Sequence, residues 1–181
     1  MRIVEEPFSG LLLLEPRVFH DLRGHFFESF NQVAMNSFGI RDEFVQDNES
    51  RSSKGILRGL HFQRPPFAQG KLVRVAQGSV LDVVVDLRRS SPTFGQHYSI
   101  NLSGENHLML WIPPGFAHGF LTLSDNTLFL YKCTAPYHQA SEGGLAWDDP
   151  ALNIQWGIEQ PLLSEKDMMN PVISGFSTPF E

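Results

Sequence analysis

The sequence has a single cysteine, Cys133, among its 181 residues, so no disulfide can form within the chain. A chain of this length can bury a hydrophobic core without disulfides or a structural metal. Cys133 lies in an apolar stretch, where a buried thiol packs as a small hydrophobic side chain. We therefore predict that Cys133 is not catalytic and that the protein is cytoplasmic.

Long hydrophobic runs and an excess of positive charge are also missing. The apolar run at residues 11–14 is far shorter than the roughly 18 residues that cross a bilayer. Lys and Arg number 14 against 20 Asp and Glu, which gives a net charge of −6. These features predict no membrane partner and no non-specific binding to nucleic acid. Within residues 21–74, however, eight basic side chains outnumber six acidic ones, which indicates either a site for an anionic ligand or a solvated face.

Helical periodicity is scarce as well. Residues 31–38 are the clearest helix, with Asn31 able to cap its start and Gly39 able to end it, and a second short helix is predicted near Ser164. Elsewhere, turn signals separate strand-length segments rich in β-branched, aromatic and leucine residues: 72–76, 80–87, 98–102, 107–112, 119–123 and 127–133. We predict one all-β domain over residues 1–181, a sandwich or barrel with an irregular C-terminal extension from about residue 147.

Polar side chains recur within these strand-like segments. Because alternate residues of a strand face the same side, His118 shares a face with Phe120, and Tyr131 shares one with Phe129. His61 is a third such polar residue. A few polar groups among apolar and aromatic walls are typical of a small-molecule pocket. Taken alone, each histidine is better explained as a hydrogen-bonded core or surface residue and Tyr131 as a core aromatic, so a pocket is predicted only if the three converge.

The stretch GILRGLHFQ at residues 55–63 resembles a motif of the dTDP-4-dehydrorhamnose 3,5-epimerase family. Further blocks agree with the family in the same order, at residues 21–24, 27–28, 45–48, 71–75, 78–83, 112–120 and 131–134. The resemblance therefore covers most of the chain. It implies a cupin fold, that is, a double-stranded β-helix jelly-roll barrel with short peripheral helices, and a homodimer formed by strand exchange.

The resemblance also implies a reaction that needs no cofactor. It inverts C3 and C5 of dTDP-4-dehydro-6-deoxy-D-glucose to give dTDP-4-dehydro-L-rhamnose. Protons at both carbons lie alpha to the C4 ketone, so a base can remove them only if the resulting enolate is stabilised. By resemblance, His61 is the base and Asp167 orients it. Lys71 stabilises the enolate oxygen, and Tyr131 returns a proton to the opposite face.

Substrate contacts come from the same resemblance. Arg23, Arg58 and His118 are similar to family residues that bind the diphosphate and the sugar, and a guanidinium group suits phosphate. The further contacts implied are Glu28, Gln46, Asp47, Asn48, Lys71, Glu142 and Lys166. Arg58 and His61 are three residues apart and would face opposite sides of a straight strand. For both to reach one pocket, we predict a bulge at Gly59.

Other functions stay open from the sequence. A related enzyme would epimerise only one carbon, C3 or C5, or would act as a 3,4-ketoisomerase. A non-catalytic carbohydrate-binding cupin would use the same pocket for recognition alone. A metal-dependent cupin is disfavoured, because cupin metal sites use a His-x-His pair and the sequence here reads His61-Phe62-Gln63, with no Asp or Glu in residues 64–78. We therefore expect no metal.

Overall fold

A computed structural model describes residues 1–181 as a chain of β-strands with one short α-helix. No helix has the length and hydrophobicity that crossing a membrane requires. In chain order the elements are β1 (Arg2–Phe8), β2 (Leu11–Glu15), β3 (Phe19–Asp21), β4 (Gly24–Phe26), α1 (Gln32–Ser37), β5 (Gln46–Ser52), β6 (Leu57–Gln63), β7 (Lys71–Gln77), β8 (Ser79–Asp86), β9 (His97–Ser103), β10 (Met109–Ile112), β11 (Phe116–Thr122), β12 (Thr127–Cys133) and β13 (Glu142–Gly144). Single turns of 3-10 helix cover Gln139–Ser141 and Asp167–Met169.

Two antiparallel sheets form the body of the protein. One has the strand order β1-β2-β10-β7-β12-β5, and the other has the order β13-β6-β11-β8-β9. Both contribute to the core between them, for example through Val73 and Phe129 from the first sheet and Val84 and Phe120 from the second. The prediction of an all-β sandwich or barrel is confirmed. β3 and β4 form a separate two-stranded hairpin outside these sheets.

The predicted strands correspond to β7 through β12, with ends shifted by a few residues. Helix α1 is also confirmed: Asn31 Oδ1 accepts hydrogen bonds from two backbone N–H groups of the first turn, at 3.0 and 3.2 Å, and Gly39 follows with φ +86°. Near Ser164 the predicted helix is only one 3-10 turn. Ser164 Oγ accepts the backbone N–H of Asp167 at 3.1 Å and so starts that turn.

The chain after β13 has little regular secondary structure but is firmly packed. It crosses the outer face of the five-stranded sheet, where Trp156 and Phe180 join Leu60 in a second hydrophobic core. Trp156 Nε1 also donates a hydrogen bond to the carbonyl of Trp147 at 2.8 Å. Because this segment lies against the sheet, it can deliver Asp167 to the strand that carries His61.

Gly59 lies in a β-bulge, as predicted. β6 pairs with β11 through His61 opposite His118 and Arg58 opposite Phe120, so three steps along β6 match two along β11. The extra step turns Arg58 and His61 to the same side of the sheet. Gly59 has φ +121°, and a Cβ at this position would lie 2.6 Å from a backbone Cα of β11. Only glycine fits this bulge without displacing the neighbouring strand.

Candidate active site

A cavity of about 570 Å³ opens between the two sheets. Its walls come from β5, β6, β7, β11 and β12, and the C-terminal segment around Ser164 closes one side. Phe120 and Phe129 stack at 4.0 Å between ring centroids and form part of its apolar wall. The predicted site residues that line it are Asn48, Arg58, His61, Lys71, His118, Tyr131, Lys166 and Asp167. The convergence on which the pocket prediction depended is therefore present.

His61 and Asp167 form a hydrogen-bonded pair at this cavity. His61 Nε2 lies 2.5 Å from Asp167 Oδ1, and the carboxylate is only 4% exposed. Burial raises the pKa of Asp167, but its hydrogen bonds with His61, Ser164 and the backbone N–H of Gly59 outweigh burial, so the pKa lies below its ordinary value. The ionised carboxylate accepts Nε2–H. Nδ1 has no hydrogen-bond partner in the chain and is the ring nitrogen free to accept a proton.

Lys71 begins β7 on the opposite wall, in the six-stranded sheet. Its ammonium group has no ion pair or hydrogen bond within the chain, and the residue is partly buried in the cavity wall. Burial lowers the pKa of Lys71, and the negative charges of Asp82 and Glu142 partly offset this effect. A cation that has no direct ionic partner and lines a cavity is suited to a ligand oxygen that develops negative charge.

Tyr131 lies on β12, on the same wall as Lys71 and across the cavity from His61. Its hydroxyl has no hydrogen-bond partner in the chain. Burial raises the pKa of the Tyr131 phenol, so the group keeps its proton at neutral and moderately alkaline pH. The cavity thus has a base on one wall and an acid on the other.

His118 and Arg58 extend the polar surface of the cavity. His118 Nε2 bonds both carboxylate oxygens of Asp82, at 2.9 and 3.1 Å. Arg58 Nε and Nη2 donate to Ser52 Oγ at 3.4 and 3.3 Å, which are long hydrogen bonds that leave most of the guanidinium donors unused. The free donors of Arg58 have the planar geometry that binds phosphate oxygens.

Known proteins have sequences and folds similar to those of this chain. The family model described as dTDP-4-dehydrorhamnose 3,5-epimerase matches residues 5–174. The chain belongs to the dTDP-4-dehydrorhamnose 3,5-epimerase family. The dTDP-4-dehydrorhamnose 3,5-epimerase of Shigella flexneri is 53% identical over 93% of this chain and 93% of its own.

Two solved structures extend the comparison. The dTDP-6-deoxy-D-glucose-3,5-epimerase of Legionella pneumophila, in complex with dTDP-4-keto-L-rhamnose, has a TM-score of 0.92 and 48% identity over 96% of this chain and 93% of that one. A 3'-monoepimerase of Streptomyces bikiniensis, in complex with dTDP-quinovose, has a TM-score of 0.87 and 32% identity over 93% and 86%. The prediction of a cupin jelly-roll barrel is confirmed.

A smaller cavity of about 100 Å³ adjoins the main cavity. His61, Lys71 and Tyr131 line both cavities. Gln46 and Glu142 line this smaller space, so both lie beside the same central residues. Glu142 also forms an ion pair with Lys166 and accepts a hydrogen bond from the Tyr137 hydroxyl at 2.8 Å. Burial raises the pKa of Glu142, but these two partners lower it below its ordinary value.

Three of the predicted substrate contacts lie outside the cavity of their own chain. Arg23 is in the β3–β4 hairpin, where it bonds Asp21 and its side chain is 91% exposed. Glu28 accepts a hydrogen bond from Asn31 at the start of α1. Asp47 faces away from the cavity, since strand alternation puts it on the side of β5 opposite Asn48, and it pairs with a lysine of β12. Within one chain, the structure does not bring these three residues together with His61.

Some residues of the site were not singled out from the sequence. Asp82 is the buried partner of His118, and Ser50 adds a hydroxyl to the cavity that has no hydrogen-bond partner. The sequence signal for Asp82 was a polar residue within an otherwise apolar strand. That pattern does not identify His118 as the residue with which Asp82 pairs. Across residues 1–181, no three His, Cys, Asp or Glu side chains are arranged to hold a metal ion.

Proposed function

We propose that this chain epimerises dTDP-4-dehydro-6-deoxy-D-glucose at C3 and C5 to dTDP-4-dehydro-L-rhamnose, with no cofactor. The observation that carries the proposal is the placement of the His61–Asp167 pair on one wall of the cavity, facing Lys71 and Tyr131 on the other. Membership of the epimerase family and the dTDP-sugar in the Legionella structure support the substrate class. We propose that the protein acts as one domain in the cytoplasm.

The mechanism begins with proton abstraction. His61 Nδ1 takes the proton from C3 or C5, and the electrons of the C–H bond move into the C4 carbonyl to form an enolate. Lys71 stabilises the enolate oxygen, because a fixed cation interacts more strongly with that oxygen than with the neutral ketone. Asp167 keeps the His61 ring in the orientation that leaves Nδ1 free.

Inversion then requires a proton from the other side of the ring. Tyr131 Oη donates it to the carbanionic carbon, and the carbonyl re-forms. Because Tyr131 and His61 project from opposite sheets, the donated proton arrives on the face opposite the one that lost it. Transfer of the proton from His61 to the Tyr131 phenolate, by way of solvent, restores both groups.

Isotope exchange tests the proposed function directly. The protein is incubated in D2O with dTDP-4-dehydro-6-deoxyglucose, without metal or cofactor, and deuterium at C3 and C5 is followed by NMR. We expect incorporation at both carbons. Incorporation at only one would favour a single-carbon epimerase, the activity named for the Streptomyces bikiniensis relative. No incorporation would contradict the proposed chemistry and leave a binding function.

The alkaline limb of the pH profile should report Lys71. Burial lowers the pKa of Lys71 and raises that of Tyr131, so burial favours loss of the Lys71 proton over loss of the Tyr131 proton as the pH rises. We therefore expect kcat to begin to decrease at a pH lower than the ordinary lysine pKa of about 10.4. Lys71→Arg should keep a cation and move this limb to higher pH, whereas Lys71→Met should lower kcat at pH 7 by about 10²- to 10³-fold.

The control for this pH measurement is Lys54→Arg, which makes the same substitution at an exposed lysine outside the cavity. It should leave the profile unchanged. If Lys71→Arg retained the wild-type alkaline limb, Lys71 would not be the group that titrates there, and its role at the enolate oxygen would have to be abandoned.

We also propose a homodimer. β1 is the outer strand of the six-stranded sheet and exposes Ile3 and Val4. The β3–β4 hairpin exposes Phe19 by 50% and Phe26 by 67%. An unpaired edge strand beside an exposed apolar hairpin favours association with a second chain. A homodimer would also explain Arg23, since a hairpin that reaches a partner can contribute this side chain to the partner's cavity. A monomer by light scattering at micromolar concentration would contradict the dimer.

A further inference from the structure

The carboxylate of Asp82 has an unusual environment for a buried charge. Asp82 lies on β8 with no exposed surface, and its only hydrogen-bond partner in the chain is His118 Nε2, at 2.9 and 3.1 Å from its two oxygens. Removing a carboxylate from water is costly unless several donors compensate it, and an apolar residue would pack here without that cost. Protein stability alone therefore does not explain Asp82.

Asp86, four residues along the same strand, has the pattern expected of a structural carboxylate. It is equally buried, but it accepts hydrogen bonds from the backbone N–H and the guanidinium of Arg88 and from the hydroxyls of Ser91 and Thr93. These donors tie β8 to the following turn. Asp82 has no such network, so its single interaction with His118 must account for its presence.

His118 is placed as a second copy of the His61 arrangement. The two histidines are directly opposite one another on β11 and β6, and such cross-strand partners have Cβ atoms roughly 5 Å apart on one face of the sheet. Each ring uses Nε2 to bond a buried aspartate. Each ring leaves Nδ1 without a hydrogen-bond partner. The His118 Nδ1 atom is not fully enclosed by the protein. His118 Nδ1 therefore borders the cavity beside His61.

We propose that Asp82 is a positioning residue that holds His118 with Nε2 protonated and Nδ1 directed at the sugar ring that His61 deprotonates. This inference rests on the proposed function. The sugar, and not the diphosphate, is the ligand of His118 because a side chain adjacent to the base must lie close to the carbon that the base attacks. Arg58, with its unused donors, remains available for the diphosphate. The negative charge of Asp82 also interacts with Lys71, so this one carboxylate acts on two side chains of the cavity, His118 and Lys71.

The test is Asp82→Asn, measured by deuterium incorporation at C3 and C5 and by dTDP binding. We expect kcat to fall by about 10- to 100-fold, by analogy with the loss that follows removal of the hydrogen-bond partner of a metal-bound histidine. The Kd for dTDP, which lacks the deoxyhexose, should stay within about 2-fold of wild type because His118 contacts the deoxyhexose and Arg58 the diphosphate. Asp86→Asn is the matched control: it should lower the thermal unfolding temperature without lowering kcat of the folded enzyme.

A double-mutant cycle separates positioning from a general structural effect. If Asp82 acts through His118, the loss caused by Asp82→Asn should largely disappear in a His118→Ala background. If Asp82→Asn does not fold, Asp82→Leu replaces the charge with an apolar side chain of similar size, which buried sites tolerate. Wild-type kcat in either variant, or an undiminished loss in the His118→Ala background, would overturn the proposal. Wild-type exchange is measured first, so failure of the proposed function is recognised separately.

Discussion

Replacing His61 with alanine is expected to lower kcat for deuterium incorporation at both C3 and C5 by about 10²- to 10⁴-fold, the usual contribution of a general base. The same imidazole serves both carbons, because the ring nitrogen of His61 that Asp167 leaves free lies on the wall opposite Lys71 and Tyr131. The dTDP affinity should change little, since the ring contacts the sugar. Exchange followed by NMR in D2O and dTDP binding by calorimetry measure the two effects.

His97→Ala is the matched control for His61→Ala. His97 lies on β9, outside the cavity, and its ring has no hydrogen bond in the structure, so its loss should leave kcat unchanged. Tyr131→Phe provides a further distinction. It should slow formation of the inverted product more than it slows exchange at the carbon that His61 deprotonates, because it removes the acid and leaves the base. Full exchange in His61→Ala would assign the base to another residue of the cavity.

The strands that were predictable share one physical feature. β7 through β12 lie between clear turn signals and are rich in β-branched and aromatic residues. Other strands lacked that feature. β5 reads QDNESRS and is polar because it is the outer strand of its sheet. β2 reads LLLLE, and its four leucines are buried on both faces of the strand. Neither sequence shows the alternation of polar and apolar residues that identifies a half-buried strand. β6 contains Gly59, whose bulge breaks the period of two. Edge position, burial and bulges depend on tertiary structure, which a local pattern does not contain.

The site was predictable in its members but not in all of its contacts. The resemblance indicated His61 and Asp167, which are 106 residues apart, and the structure pairs them at 2.5 Å. No local pattern predicts such a pairing, because it depends on how the irregular C-terminal segment crosses the sheet. Asp82 was recognisable only as a polar residue in an apolar strand. Arg23 fits the family motif but lies outside the cavity of its own chain, so a second chain must be considered.

Mixing two impaired variants should restore activity if Arg23 serves the partner's site. In a dimer of one His61→Ala chain and one Arg23→Ala chain, the site on the Arg23→Ala chain keeps its own His61 and receives Arg23 from its partner. The other site has neither residue. Random reassociation makes about half of the dimers mixed, so about a quarter of all sites should be intact. Alone, His61→Ala should be nearly inactive, and Arg23→Ala should lose roughly 10-fold or more in kcat/KM through weaker binding of the diphosphate.

The measurement is the exchange rate after the two variants are dissociated, mixed and reassociated, at substrate concentrations well below KM. The control is a mixture of His61→Ala with Lys71→Met. Both residues line the same chain's cavity, so no mixed dimer contains an intact site and no activity should return. Recovery in the Arg23 mixture but not in this control would require a site built from two chains. If neither mixture recovered, Arg23 would not act in the partner's cavity, and its exposed position beside Asp21 would remain without a role in binding.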